Sequence, residues 1–427
     1  MTKNHPTLLL IKNDALLKHL TLSKKEQSLI DLFWLGFLIY TIAYSISQSD
    51  YANWALCQAV QCLGIALLIP GTISQLWFKF ENLYLKFMFS IYFIWLMTVM
   101  VRGMKMDYVV IKWLLFDAWF GGFLYFVPLM VLFPRNLFFY KRLFDVIIIL
   151  GIVFLGLNFM FAREIIFADR DDLTSRGIVE TFTRTLAMPT TFILLTYMYH
   201  SKKRKILSAA IVGIIALSAI FKARRGLLLM TSLPLIITYI FYLMQSKSKL
   251  MVIVFTMAFC SIVLVYGLSV YQESSLFGYM RDRGLEDTRS TVEVCLFADM
   301  TTLDWIIGKG LTGEYYCPSI DPNEDSDYRS VIETDYLHLI LKGGIVSVVL
   351  LLLIMIPAAY LGLFASKNML SKAAGAWITL AMINMYPSTV FTFTINYIIV
   401  WVSIGICYSK TIRSLPDEVL KLYFNPV

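Results

Sequence analysis

Charge is what this sequence has little of. Only 15% of its residues are Asp, Glu, Lys or Arg, against 58% that are apolar. A soluble core of this size needs a larger polar shell than that, so the composition, with a mean hydropathy of +0.70, is that of a polytopic membrane protein. Cysteine is sparse as well: there are six in 427 residues, four of them inside apolar runs, and no metal-ligand spacing is found. A phosphate-binding P-loop is missing, because the Gly-rich turn GKGLTG at 308–313 lacks the Gly–Lys–Ser/Thr ending. There is no internal repeat of the kind common in transporters. The first 28 residues are polar and Lys-rich, so the first apolar run is expected to act as an uncleaved anchor. The tail LLLIKNDALLKHLTLSKKEQ is either an interfacial amphipathic helix or a plain cytosolic segment.

What is present is a series of apolar runs. About twelve are long enough to cross ~30 Å of hydrocarbon, near 30–47, 52–73, 83–101, 113–133, 143–161, 184–200, 205–221, 226–245, 250–271, 336–364, 373–389 and 393–409. The expected fold is therefore an all-α polytopic membrane protein. It divides into a cytoplasmic tail (1–29), nine spans (30–271), one large periplasmic loop (272–335), three more spans (336–409) and a second cytoplasmic tail (410–427). Prolines 128, 189, 234, 357 and 387 fall inside spans and mark expected kinks. Asp117 interrupts the fourth span and is the clear ionisable candidate near midspan.

Orientation follows from the positive-inside rule. With the N-terminus in the cytoplasm, every inner segment carries Lys or Arg, including KKRK at 202–205, while the outer segments SQSD and MYPSTVFTF carry none. The remaining outer segments break the rule in an informative way. Inside there are 17 Lys and 4 Arg; outside there are 5 Lys and 11 Arg. A topogenic signal needs only positive charge, whereas the planar guanidinium fork grips phosphate in bidentate fashion. The alternative is that these arginines balance the loop 272–335, which holds fourteen carboxylates and five basic residues.

Four stretches concentrate outer cations. VRGMKMDYVVIK contains Arg102, Lys105 and Lys112, whose partner is either lipid headgroups or a phosphorylated substrate. AREIIFADRDDLTSRGIVETFTR contains Arg163, Arg170, Arg176 and Arg184. Salt bridges to Glu164, Asp169, Asp171 and Asp172 are the default explanation there, with Arg184 the best site candidate. FKARRGLLLM places Lys222, Arg224 and Arg225 at the membrane surface with no acidic residue in the connection. Either the long loop's carboxylates compensate them, or a pyrophosphate held at the start of the following helix does; the second is preferred. The loop's first half places Arg281, Arg283 and Arg289 before an expected amphipathic helix at 287–300, with Val292, Leu296 and 298–300 packing down on the membrane domain. Cys295 and Cys317 lie outside the membrane, and a bridge between them would be worth about 3 kcal/mol.

The loop closes in YRSVIETDYLHLILKGGIVS. Asp335, His338 and Lys342 fall at i, i+3 and i+7 on one helix face, with Glu333 and Thr334 just before. Capping by Thr334 or Asp335 accounts for the acids but not for His338 and Lys342. A carboxylate–histidine pair beside arginines is what general-base catalysis needs.

Together these residues resemble the O-antigen polymerase and O-antigen ligase superfamily, membrane glycosyltransferases that use undecaprenyl-pyrophosphate-linked sugars at the periplasmic face. The resemblance covers the whole architecture and three local patterns: RRGLLL at 224–229, DWIIGKGLTGEYY at 304–316, and Glu333 with Tyr336–Leu337, Leu341 and Gly344. Ligases place a His eleven positions before the glycine; Glu333 stands there in this chain, which favours the polymerase branch and leaves open which residue is the base.

The resemblance implies metal-independent, cofactor-free, inverting glycosyl transfer in the bacterial inner membrane. The growing chain on undecaprenyl pyrophosphate is passed to a lipid-linked repeat unit. Pyrophosphate-binding candidates are Arg224, Arg225, Arg289, Arg184 and Arg102. Catalytic candidates are Glu333 as base, His338 oriented by Asp335 as second choice, and Arg225. The implied partners are the lipid-linked donor and acceptor and the surrounding membrane lipids, with room for a chain-length regulator; nucleic acid is not among them. The alternatives are a ligase moving polymer to lipid A–core and, from another class, a lipid-linked-sugar flippase or other transporter.

Overall fold

The computed structural model describes residues 22–49, 52–167, 173–222, 224–254, 256–258, 261, 289–318 and 327–425. The N-terminal 21 residues, most of the ninth expected span and the candidates Arg170, Arg281 and Arg283 lie outside the described residues. The protein is an all-α, multi-pass membrane protein. Seven helices among the described residues are long and apolar enough to cross a bilayer: α1 (Lys24–Ser47), α2 (Trp54–Gln75), α3 (Leu83–Gly103), then, after the short α4 (Tyr108–Phe116), α5 (Leu137–Met160), then, after α6 (Leu173–Phe182), α7 (Lys202–Phe221) and α8 (Arg225–Gln245), and finally Asp335–Phe364. Two short helices, α9 (Ser290–Asp299) and α10 (Thr302–Ile307), precede that last one, α11; α12 (Met369–Asn384) and α13 (Ile395–Tyr408) follow it. A two-residue hairpin, β1 (Tyr315–Tyr316) against β2 (Tyr328–Arg329), pairs Tyr315 with Arg329.

Polar side chains start these apolar helices. Asn53, Asn82, Asn136 and Asn368 each accept a first-turn amide at α2, α3, α5 and α12, and Ser23 with Glu26 forms a capping box at α1. Small residues then set the packing: a Cβ on Gly36 of α1 would lie 2.6 Å from the Leu68 nitrogen of α2, so the two backbones touch there. The centre of the bundle is α13, which is buried almost throughout, with Trp401 stacked on Tyr92 of α3 at 5.8 Å between ring centroids.

Three expected spans depart from single helices. The run 113–133 divides into α4 and an eleven-residue 3-10 segment, Gly122–Leu132. Asp117 makes the break: its carboxylate accepts from the amides of Trp119 (2.7 Å) and Phe120 (3.3 Å), from Trp113 Nε1 (3.1 Å) and from the Tyr44 hydroxyl (3.3 Å). Backbone that leaves the helix inside a membrane must be satisfied within the protein, and this carboxylate does it. The run 184–200 continues from α6 through a π turn, Thr183–Ala187, and short pieces at Thr190–Leu195 and Tyr197–Tyr199. Pro189 lacks an amide, and Thr185, Thr191 and Thr196 return their hydroxyls to carbonyls three or four residues back, which bends the run.

The third is α11, which unwinds at Gly343 (φ −131°, ψ 15°) and Gly344 (φ 67°, ψ −179°). The Gly-rich turn fills the gap. Lys309 and Gly310 donate their amides to the carbonyls of Leu341 (2.7 Å) and Lys342 (2.8 Å), and Trp95 Nε1 donates to that of Gly343 (3.1 Å). On the other side Leu311 donates to the Val99 carbonyl of α3 (3.1 Å) and the Thr312 hydroxyl to that of Gly103 (2.9 Å). Gly344→Ala is therefore expected to be severely destabilising. It forces positive φ on a residue with a Cβ, at about 1–2 kcal/mol, and sets that Cβ 2.0 Å from the Ile306 oxygen. Gly213→Ala on α7, whose Cβ would meet nothing within 4 Å, is the control and should be neutral or gain up to about 1 kcal/mol. Thermal unfolding of the two purified variants checks both.

Candidate functional site

Helices α12 and α13 are joined by residues 385–394, a segment that the chain folds inward and clamps at several points. Asp335, the first residue of α11, does most of this: its amide donates to the Met385 carbonyl (2.9 Å), and its Oδ2 accepts from the amides of Val390 (2.9 Å) and Phe391 (2.7 Å). The Phe393 amide donates to the Ala118 carbonyl (2.6 Å). Asp335 is fully buried, and no hydrogen bond joins its carboxylate to His338 as their spacing led one to expect: its Oδ1 and His338 Nδ1 are each buried without a partner among the described residues. The His338 ring is buried against Phe120 (centroids 5.2 Å apart). Lys342, one turn on, donates to the Gly313 carbonyl (2.8 Å). This polar face of α11 holds the loop and the 385–394 segment in place. Thr334 is the N-cap by position, but its hydroxyl donates to Glu293 of α9 (2.7 Å) rather than to the helix.

Arginines far apart in sequence gather around this segment. Arg289 donates to the Pro387 carbonyl (2.7 Å) and pairs through Nε with Glu333 (3.3 Å), whose side chain is 76% exposed. Gly226, in the first turn of α8, faces the same Pro387 carbonyl, where its Cβ would lie at 3.6 Å, and Arg225 opens that helix exposed. Arg184, on the π turn, gives its carbonyl to Asn396 Nδ2 (2.5 Å) and sets its guanidinium over the Trp119 ring (5.2 Å). Arg184 and Arg224 then share one carboxylate, that of Glu180, at 2.7 and 3.2 Å.

A cavity lies beside this cluster between α8, α12 and the 389–396 chain. Its polar wall is Arg184, Asn384, Thr389, Thr392, Thr394 and Asn396; Arg184 Nε, Asn384 Oδ1 and Asn396 Oδ1 are buried there without a hydrogen-bond partner among the described residues. Its apolar wall includes Met188, Met230, Pro234, Trp377 and Val400. Pro234 stands nine residues into α8, roughly 13 Å from the helix start at 1.5 Å per residue. The cavity thus has one cation, Arg184, among uncharged polar side chains on one wall and apolar side chains on the other.

Arg102 does not join this group. Its guanidinium donates to the carbonyls of Ile307 and Gly308 (the latter 3.3 Å) and lies over Trp95, so it caps α10 and ties the loop to α3. Cys295 and Cys317 are disulfide-bonded. The helix expected at 287–300 runs Ser290–Asp299 and, as expected, packs Val292, Leu296 and Met300 against the membrane domain, in a small core that joins Tyr315, Cys317 and Ile332 to Leu337, Ile340 and Leu341 of α11. Sequence reasoning missed Glu180 and the 385–396 segment. The signals were an acid four residues before Arg184, and a crowding of Ser, Thr and Asn in a segment singled out only for its lack of cations.

No family model, curated protein or solved structure matches this chain.

The role of Asp335 separates two substitutions. Asp335→Ala strands two buried amides and should cost about 2–4 kcal/mol. Asp335→Asn keeps an acceptor oxygen and should retain most of the stability and activity. A catalytic carboxylate would instead lose activity equally in both, so paired thermal-unfolding and activity measurements decide it.

Proposed function

We propose that this protein is an O-antigen (surface polysaccharide) polymerase, a glycosyltransferase that passes a growing chain from undecaprenyl pyrophosphate to a lipid-linked repeat unit. The observation that carries the reading is the pairing of Arg184 and Arg224 on Glu180 beside a cavity with a polar and an apolar wall, together with Arg289 bonded to both Pro387 and Glu333. In this reading the chain crosses the bacterial inner membrane about twelve times, both termini lie in the cytoplasm, and the cluster faces the periplasm.

The chemistry then divides among the residues as follows. An acceptor hydroxyl attacks the donor's anomeric carbon from the face opposite the leaving group, and the bond to the pyrophosphate oxygen breaks with inversion. Negative charge grows on the departing phosphate, where Arg184 and Arg224, with Arg225 and Arg289 at the same segment, supply charge-assisted donors. The hydroxyl proton goes to a carboxylate, and Glu333 is the accessible one, exposed and held by Arg289. The polyprenyl chain follows the apolar wall between α8 and α12. His338, buried against Phe120, has no part in this scheme, and Arg102 acts on the loop alone.

A lipopolysaccharide gel tests it in a strain lacking this gene, complemented with wild type, Arg224→Ala, Arg225→Ala or Glu333→Ala. The expected pattern is a single-repeat band in the deletion, a full ladder with wild type, and polymer reduced by about 100-fold with Arg224→Ala and Glu333→Ala at equal protein levels. Core alone, with lipid-linked polymer accumulating, identifies a ligase. An unchanged ladder in the deletion removes the protein from this pathway and returns the reading to transport.

A further inference from the structure

Among the described residues, Glu180 is the acid placed between Arg184 and Arg224. Its carboxylate is divided, one oxygen on Arg184 Nη2 at 2.7 Å and the other on Arg224 Nη2 at 3.2 Å, and its side chain is 20% exposed. The two guanidiniums come from elements forty residues apart in sequence and would repel each other without an anion between them. Two oxygens of one acid, each on a different arginine, reproduce the way a phosphate is held by an arginine pair. Arg184 has further capacity, because its Nε is buried without a partner among the described residues and its side chain lines the cavity. The π turn Thr183–Ala187 begins between Glu180 and Arg184, and such turns recur at functional sites because they are less stable than the α-helix they interrupt.

We propose that Glu180 is an internal stand-in for the substrate's phosphate. It holds Arg184 and Arg224 together in the unliganded protein and is displaced when a pyrophosphate enters from the cavity side. The inference rests on the reading of the site given above. Its chemical sense lies in release: transfer of the glycan leaves a polyprenyl pyrophosphate monoester that carries more negative charge than the donor diester and would bind a bare arginine pair more tightly. A resident carboxylate gives the arginines another partner and lets the product go.

The test is binding of farnesyl pyrophosphate, and separately of inorganic pyrophosphate, to the purified full chain in lipid nanodiscs. Glu180→Gln should bind both probes about tenfold more tightly than wild type, since the two charge-assisted pairs of the carboxylate no longer compete. Its unliganded form should melt below wild type, with the gap closing at saturating probe. Glu180→Asp, too short to span both arginines, should fall between the two and serves if the glutamine variant folds poorly. Glu180→Gln binding equal to or weaker than wild type overturns the inference. Wild type and Arg184→Ala binding alike, or neither binding, overturns the underlying site as well.

Discussion

A membrane helix that stops being helical leaves carbonyls that lipid cannot satisfy, and the fold depends on how α11 meets that constraint nine residues from its start. The carbonyls of Leu341, Lys342 and Gly343 are freed where the chain turns at Gly343–Gly344, and each finds a donor: the amides of Lys309 and Gly310, and the indole of Trp95. The Gly-rich turn is thus a structural insert that completes a transmembrane helix from outside. Glycine is required on both sides of the contact. A Cβ at Gly308 would lie 2.5 Å from the Gly343 nitrogen, and one at Gly103 2.2 Å from that of Leu311. Residues 309–312 of the loop are thereby hydrogen-bonded into the bundle.

Four carboxylates among the described residues do two different jobs. Asp117 and Asp335, with a single methylene, turn back on nearby amides and hold chain breaks within the apolar interior. Glu180 and Glu333, one carbon longer, reach across to guanidiniums on other elements. The first pair sets the backbone, with Asp335 buried and Asp117 half-buried; the second pairs with arginines. A buried carboxylate satisfied by amides is a poor proton acceptor for a substrate it cannot touch, which is why the exposed Glu333 carries the proton in the proposed chemistry.

Much of the architecture was legible because it follows from composition. Apolar runs of membrane length and the scarcity of charge foretold an all-α membrane protein, and the two cysteines outside those runs raised the bridge that forms. Breaks within runs were legible only as punctuation: Asp117 and Pro189 announced that something happens, not that 3-10 and π turns result, and the break at Gly343–Gly344 went unread. Pairings between distant residues were not legible at all. Asp335 and His338 share a helix face by spacing, yet Asp335 is drawn to amides 55 residues away at Val390 and Phe391. Arg102 looked like the other outer arginines, but its position in the last turn of α3 puts it at the carbonyl end of α10. Spacing reports which residues share a face, not which surface that face meets.

The inserted turn and the arginine cluster are mechanically one object. Helix α9 begins after Arg289 and carries Cys295, which is bonded to Cys317 beside β1, only seven residues past Gly310. Lys309 in the same turn pairs with Asp299 at the other end of α9. Arg289 therefore reaches Pro387 and Glu333 from a helix pinned at two places to the segment that completes α11, and α11 in turn holds 390–391 through Asp335. Arg289 is thus tied to the 385–394 segment, and Arg184 to Asn396 just beyond it, through backbone carbonyls rather than through flexible side chains alone, on a chain that α11 anchors through Asp335.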